Sequence, residues 1–213
     1  MLLTRTLLPL LTVPLALVIL DRADGLAQNI SGSAPVTLRD EQTKSLEELR
    51  QMARDTQRVY KLPASINVGV RPLASSGLTS YQCVGMLYQA GDVVVDPRVL
   101  GSPNRMPLMA AMLASIVLRA PSTATSLAEA EQERQRKTRE NNAKAVEILV
   151  RTKGLSEADA LYLVYTWLLA QHRAGCSAPS AFRRLAPCEQ IRDLLARFPQ
   201  YREWSPKPEC APE

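Results

Sequence analysis

A single histidine, His172, stands among 213 residues. Any mechanism that places two imidazoles on one metal is therefore excluded by inventory. Cysteine is scarce as well. Cys83, Cys176, Cys188 and Cys210 are the four present, and none falls in a C-x-x-C pair, which argues against zinc-ribbon and thioredoxin-like sites. The chain has no G-x-S-x-G elbow and no glycine-rich phosphate loop, the devices that expose a serine nucleophile or cradle a nucleotide. It has no arginine cluster with interleaved aromatics, so nucleic acid is not indicated as a partner. Aromatic bulk is limited to Phe182, Phe198, two Trp and six Tyr, and Leu, Val, Ala and Met must fill the interior. With 46% hydrophobic and 22% charged residues, the balance is that of one globular domain with a real core.

The one long apolar run lies at the N-terminus, "MLLTRTLLPLLTVPLALVIL". Its apolar part, Leu7 to Leu20, is about 14 residues, broken by Pro9 and Pro14, and short of the ~20 that a membrane span needs. Arg5 precedes it, and "DRADGLAQ" follows with Gly25 and Ala27 at the −3 and −1 places of a cleavage site before Gln28. This is the layout of a secretory signal peptide over residues 1–27, against the alternative of a retained anchor. The expected destination is the periplasm or the extracellular space, with no stable membrane span after cleavage. The remaining chain keeps a net charge of +5, spread too evenly to name a partner. In an oxidising compartment four cysteines form two disulfides more readily than a metal site. Three connectivities are open; the favoured one joins Cys176 to Cys188 and Cys83 to Cys210. Asn29-Ile30-Ser31 is an N-glycosylation sequon if the host glycosylates.

Residues 28–40 read as a polar, flexible leader. The domain proper is expected over residues 41–205, with a proline-rich tail at 206–213. In "LRDEQTKSLEELRQMARDTQRVY", Leu46, Leu49, Met52 and Val59 fall at helical spacing, predicting an amphipathic helix ended near Pro63. "SINVGVRPL" alternates in the period of a half-buried strand, "SYQCVGMLY" offers a second, and "GDVVVDPRVL" a short third with a sheet edge near Pro97. From Pro107 onward the chain reads as helical. "PLMAAMLASIVLRA" is apolar nearly all round and predicts a buried helix. A long charged helix follows, becoming amphipathic near Ala143 and stopping at Gly154. Ser156 caps another that stops at Gly175, and "APCEQIRDLLARFPQYREW" supplies a last short one. The fold class is therefore α+β: a small antiparallel or mixed sheet with a mostly helical C-terminal half.

The apolar helix invites a more specific reading. Zinc peptidases of the gluzincin kind carry H-E-x-x-H on a buried helix. Residues i and i+4 there share one face, so both imidazoles reach one metal while the Glu activates water. The region from about Ser65 to Leu195 resembles the HtpX and CAAX-prenyl-protease type of zinc metallopeptidase. "GDVVVDPRVL" resembles the strand and turn before the motif helix, and Ala111-Met112-Leu113-Ala114-Ser115 stands where His-Glu-x-x-His would. "RENNAKAVEIL" resembles the helix bearing the third ligand, with Glu140 at the ligand position and Lys144 in place of the usual Asp. The resemblance implies a zincin-like fold in which Ala111, Met112, Ser115 and Glu140 mark a former metal site. Ala111 and Ser115 cannot bind zinc and Met112 cannot act as base, so no metal, no cofactor and no catalysis are expected.

Plainer readings stand beside this one. The apolar helix is equally accounted for as core, and Glu140 as an i,i+4 partner of Lys144, worth about 0.2–0.5 kcal/mol. Against the second, Ala143, Val146 and Val150 form an apolar stripe with Glu140 in line three residues before it. His172 and Arg173 suit a helix C-terminus, though one histidine suffices for a small exported hydrolase pairing His172 with a serine. Asp92 and Asp96, as a carboxylate pair on an extended segment, lie about 13 Å apart, too far for glycoside cleavage. Trp167, Tyr162 and Tyr165 read as core. The expectation is an exported, catalytically inactive metallopeptidase-like protein that binds a protein or peptide in a remnant cleft. The alternatives are the His172 hydrolase and a purely structural envelope protein.

Overall fold

Leu46, Leu49, Met52, Ala53 and Thr56 recur three and four residues apart, and in the computed structural model they form the buried stripe of α1 (Asp40–Tyr60). The described residues are 36–73, 85–89, 91–119, 124–176, 185–201 and 210. They belong to one compact unit, residues 36–213. The expected signal peptide, most of the leader, and Cys83 lie outside the described residues. Acidic Asp40 and Glu41 occupy the first turn of α1, and Lys61 closes it with a left-handed backbone (φ 52), ahead of Pro63.

Three short strands follow: β1 (Asn67–Val70), β2 (Met86–Gln89) and β3 (Asp92–Val95). The sheet order is β1-β3-β2. β3 runs parallel to β1, pairing Val68 with Val93, and antiparallel to β2, pairing Met86 with Val95. Gly91, at φ 98, takes the left-handed step before β3 that a side chain would resist. The valine strand is thus the centre of the sheet and not the edge its flanking Pro97 suggested. Val93 and Val95 are fully buried. Pro97 costs the sheet nothing because the chain has left it: α2 (Pro97–Leu100) begins there, and a missing N–H is tolerated in a helix's first turn.

Asp96 makes that exit possible. It is 1% exposed, caps α2 by accepting from the Arg98 backbone at 2.9 Å, and accepts from the Leu73 backbone N–H at 3.0 Å. The Arg98 guanidinium closes on both carboxylate oxygens at 2.8 and 2.9 Å. Burial pushes the carboxyl pKa up, but the Arg98 side chain and the two backbone donors outweigh it and hold it below the ordinary 3.8. Asp96→Ala removes a cap and strands a part-buried N–H, each worth about 1 kcal/mol, so urea unfolding should show a loss of about 2 kcal/mol. Because the folded pKa is depressed, this contribution is fully present above the ordinary Asp value. It disappears as pH falls below 3.8 and through the folded value. The gap between wild type and variant should close in acid.

The rest is helical: α3 (Arg105–Val117), α4 (Leu127–Lys153), α5 (Glu157–Arg173) and α6 (Pro187–Arg197), then a 3-10 turn at Pro199–Tyr201. Ser126 and Ser156 cap α4 and α5 through their hydroxyls, and Gly154 ends α4 at φ 65. The fold is α+β, with a small mixed sheet and a mostly helical C-terminal half. Leu113 and Met109 of α3, Ile148 and Leu149 of α4, Leu161 and Leu168 of α5, and Ile191 and Leu194 of α6 share one core with α1 and β3. No helix among the described residues is long and apolar enough to cross a membrane.

Candidate functional site

α3 and α4 pack together along their length, so the positions marked by the peptidase resemblance can be followed directly. Ala111 is 2% exposed and faces the core; Met112 is half-buried at its edge; Ser115 is exposed. Ala111 and Ser115 share a helix face one turn apart, and that face does meet α4. It meets Asn141, not Glu140. The Asn141 side-chain amide donates to the Ala111 carbonyl at 3.0 Å. The Ser115 hydroxyl lies 3.2 Å from Asn141 Oδ1 and 3.1 Å from the same Ala111 carbonyl. The seam is closed by its own polar groups.

Glu140 turns elsewhere. Its carboxylate accepts from Arg136 one turn earlier on α4, at 2.8 Å, and makes no bond to α3 among the described residues. The buried residues of α4 are Asn142, Ala145, Val146, Ile148 and Leu149. At about 3.6 residues per turn, Glu140 lies on the far side of the helix from their centre. The expected stripe of Ala143, Val146 and Val150 is therefore rotated: Val146 is buried, whereas Ala143 and Val150 are half-exposed. The plain alternative of a Glu140–Lys144 pair is corrected too, since Lys144 binds Glu147. Sequence reasoning passed over the Asn141-Asn142 pair. Asn is a poor helix former whose amide competes for backbone partners, so two in mid-helix signal polar pins. Asn142, 4% exposed, donates to Gln190 of α6 at 2.9 Å.

A second polar cluster joins α1 to α4. The Tyr60 hydroxyl donates to Glu147 at 2.9 Å. Lys144 and Arg151 both pair with Glu147, and both cations lie over the Tyr60 ring, 5.3 and 5.4 Å from its centre. Burial and the bond to Glu147 push the Tyr60 hydroxyl up to about 12. Burial raises the Glu147 pKa, but Lys144, Tyr60 and Arg151 together hold it below the ordinary 4.5. The bond between the Tyr60 hydroxyl and Glu147, with both cations over the ring, ties α1 to α4. Asp92 and Asp96 form no catalytic pair: Asp92 is exposed and bonded to Asn67 at 2.9 Å, while Asp96 is spent on capping.

His172 stands in the last turn of α5. Its ring nitrogen and the sulfurs of Cys188 and Cys210 all lie within 4.8 Å of one another. Cys188 and Cys210 are disulfide-bonded, with Cα atoms 5.1 Å apart. This overturns the expected pairing of Cys176 with Cys188 and Cys83 with Cys210; Cys176 is engaged in another disulfide. Twelve residues of sequence separation favoured the wrong partner because Cys188 opens α6, where Cys210 meets it. No serine hydrogen-bonds His172 among the described residues. A shallow cavity of about 450 Å³ runs along one side of α5, lined by Tyr162, Tyr165, Thr166, Leu169, Ala170 and Arg173. Tyr165 and Trp167 are buried as expected, but Tyr162 is 56% exposed at this groove.

No protein-family model, no curated protein and no solved structure matches the chain.

Proposed function

We propose that this is an exported, catalytically inactive metallopeptidase-like protein that works by binding a protein or peptide. The observation that carries the inactivity is the closed α3–α4 seam; the likeness to the peptidases rests on the sequence resemblance alone. Where the peptidases keep an open metal, Asn141 holds the Ala111 carbonyl and the Ser115 hydroxyl, and Glu140 is engaged by Arg136. The disulfide between Cys188 and Cys210 suits an oxidising compartment outside the cytosol. With the seam shut, the groove beside α5 is the better binding surface. It presents an exposed tyrosine above an apolar floor, the composition that anchors peptide side chains.

The oxidised, purified chain should hold no stoichiometric zinc by elemental analysis and show no chelator-sensitive proteolysis. One equivalent of zinc lost on Glu140→Ala would sink the reading. The placement is tested by a photo-crosslinker introduced at Tyr162 or at Ser115. A discrete adduct is expected from position 162 and none from 115; the reverse result would return binding to the α3–α4 seam.

A further inference from the structure

We infer that reduction of the Cys188–Cys210 disulfide converts it, with His172, into a binding site for a thiophilic cation of the Zn²⁺ class. The three ligand atoms already lie within 4.8 Å of one another. Around a tetrahedral zinc with bonds of about 2.0–2.3 Å, ligand atoms sit about 3.5–3.8 Å apart. Once the sulfur–sulfur bond is broken, the two sulfurs can part to reach that geometry. Two of the three ligands are held by the core itself. His172 belongs to the last turn of α5 and Cys188 to the first turn of α6, and these helices pack through Leu161, Leu168, Ile191 and Leu194 in the common core.

Two features bear on the charged form that a metal requires, one in its favour and one against. Cys188 follows Pro187 at the start of an 11-residue helix, where the helix dipole stabilises a thiolate. Cys210 is 2% exposed, and burial opposes its thiolate until the cation supplies the compensating charge. Two sulfurs and one imidazole make a soft donor set that selects zinc or copper(I) over magnesium or calcium. The set leaves one position of a tetrahedron open. In the chemical balance, a dithiol reductant gives two electrons and two protons to the disulfide and becomes a cyclic disulfide itself. Cation binding then releases the two thiol protons.

The test is a Co²⁺ titration of the full chain, reduced under anaerobic conditions, with Zn²⁺ as competitor. One equivalent of cobalt should bind with thiolate-to-metal charge-transfer bands and the intense visible bands of a tetrahedral ion, and zinc should displace it. The oxidised chain should show neither. His172→Ala should weaken binding at least about 100-fold, more than the loss of an outer-shell partner would, and Cys188→Ala with Cys210→Ala should abolish it. Because reduction also opens the Cys176 disulfide, a cobalt spectrum unchanged by His172→Ala would place the metal elsewhere and overturn the inference. So would the absence of cobalt binding in folded, reduced chain. If the reduced chain unfolds without metal, zinc should restore its circular dichroism in wild type and not in His172→Ala; failure to restore it overturns the inference equally.

Discussion

Introducing the peptidase ligands, Ala111→His with Met112→Glu and Ser115→His, is expected to cost about 4 kcal/mol of stability and to create no zinc site that depends on Glu140. Most of the cost falls at Ala111. Its methyl is 2% exposed on a face packed against α4, and its carbonyl is held by Asn141. An imidazole there overpacks the seam, at about 1–3 kcal/mol, and buries ring nitrogens without partners, at about 1–3 kcal/mol more. Ser115 is exposed and accepts a larger side chain cheaply, while Met112→Glu removes a half-buried apolar contact. Two histidines one turn apart still need a third protein ligand for a peptidase-like site, and Glu140 lies on the far side of α4, paired with Arg136. Urea unfolding measures the first effect and elemental analysis the second. A folded triple variant holding one zinc that Glu140→Ala removes would show that α4 rotates to restore the peptidase frame, and the resemblance would gain its missing support.

What the residues revealed in advance follows from how local each signal is. Ser156 and Gly154 act within one turn, and they open α5 and close α4 where the sequence places them. The stripe of α1 is equally local, because Leu46, Leu49 and Met52 have only one way to share a helix face. The valine run announces a strand but not its neighbours: alternation is the same at an edge and at a centre, and only β1 and β2 arriving on either side decide it. The candidate site failed at a finer level. On α4 the stripes through Ala143 and through Asn142 lie side by side, both with apolar members, and the choice belongs to α3, α5 and α6. Choosing the first stripe brings Glu140 toward the core; the second turns it away and brings Asn141 to Ala111 and Ser115. The cysteine pairing was illegible for the same reason, since it depends on Cys210 meeting the start of α6 in the folded chain.

That bond carries the other large effect. Replacing Cys188 and Cys210 together by Ala should lower stability by about 3 kcal/mol, because a bond closing a loop of 22 residues restricts the unfolded chain by roughly that amount. For a domain of this size the melting temperature should fall by roughly 10 °C. Alanine is the better replacement than serine: Cys210 is 2% exposed, and a hydroxyl there would add the cost of a buried unpaired donor. The comparison belongs in non-reducing buffer. Adding a dithiol should bring the wild type down at least as far as the variant, since the Cys176 disulfide opens as well. If the paired alanines leave the unfolding free energy unchanged, the tail's bond constrains nothing that the core of α5 and α6 does not already hold. Loss of all cooperative unfolding would make the bond a condition of folding, and the reduced state could then be populated only with something bound in place of the sulfur–sulfur link.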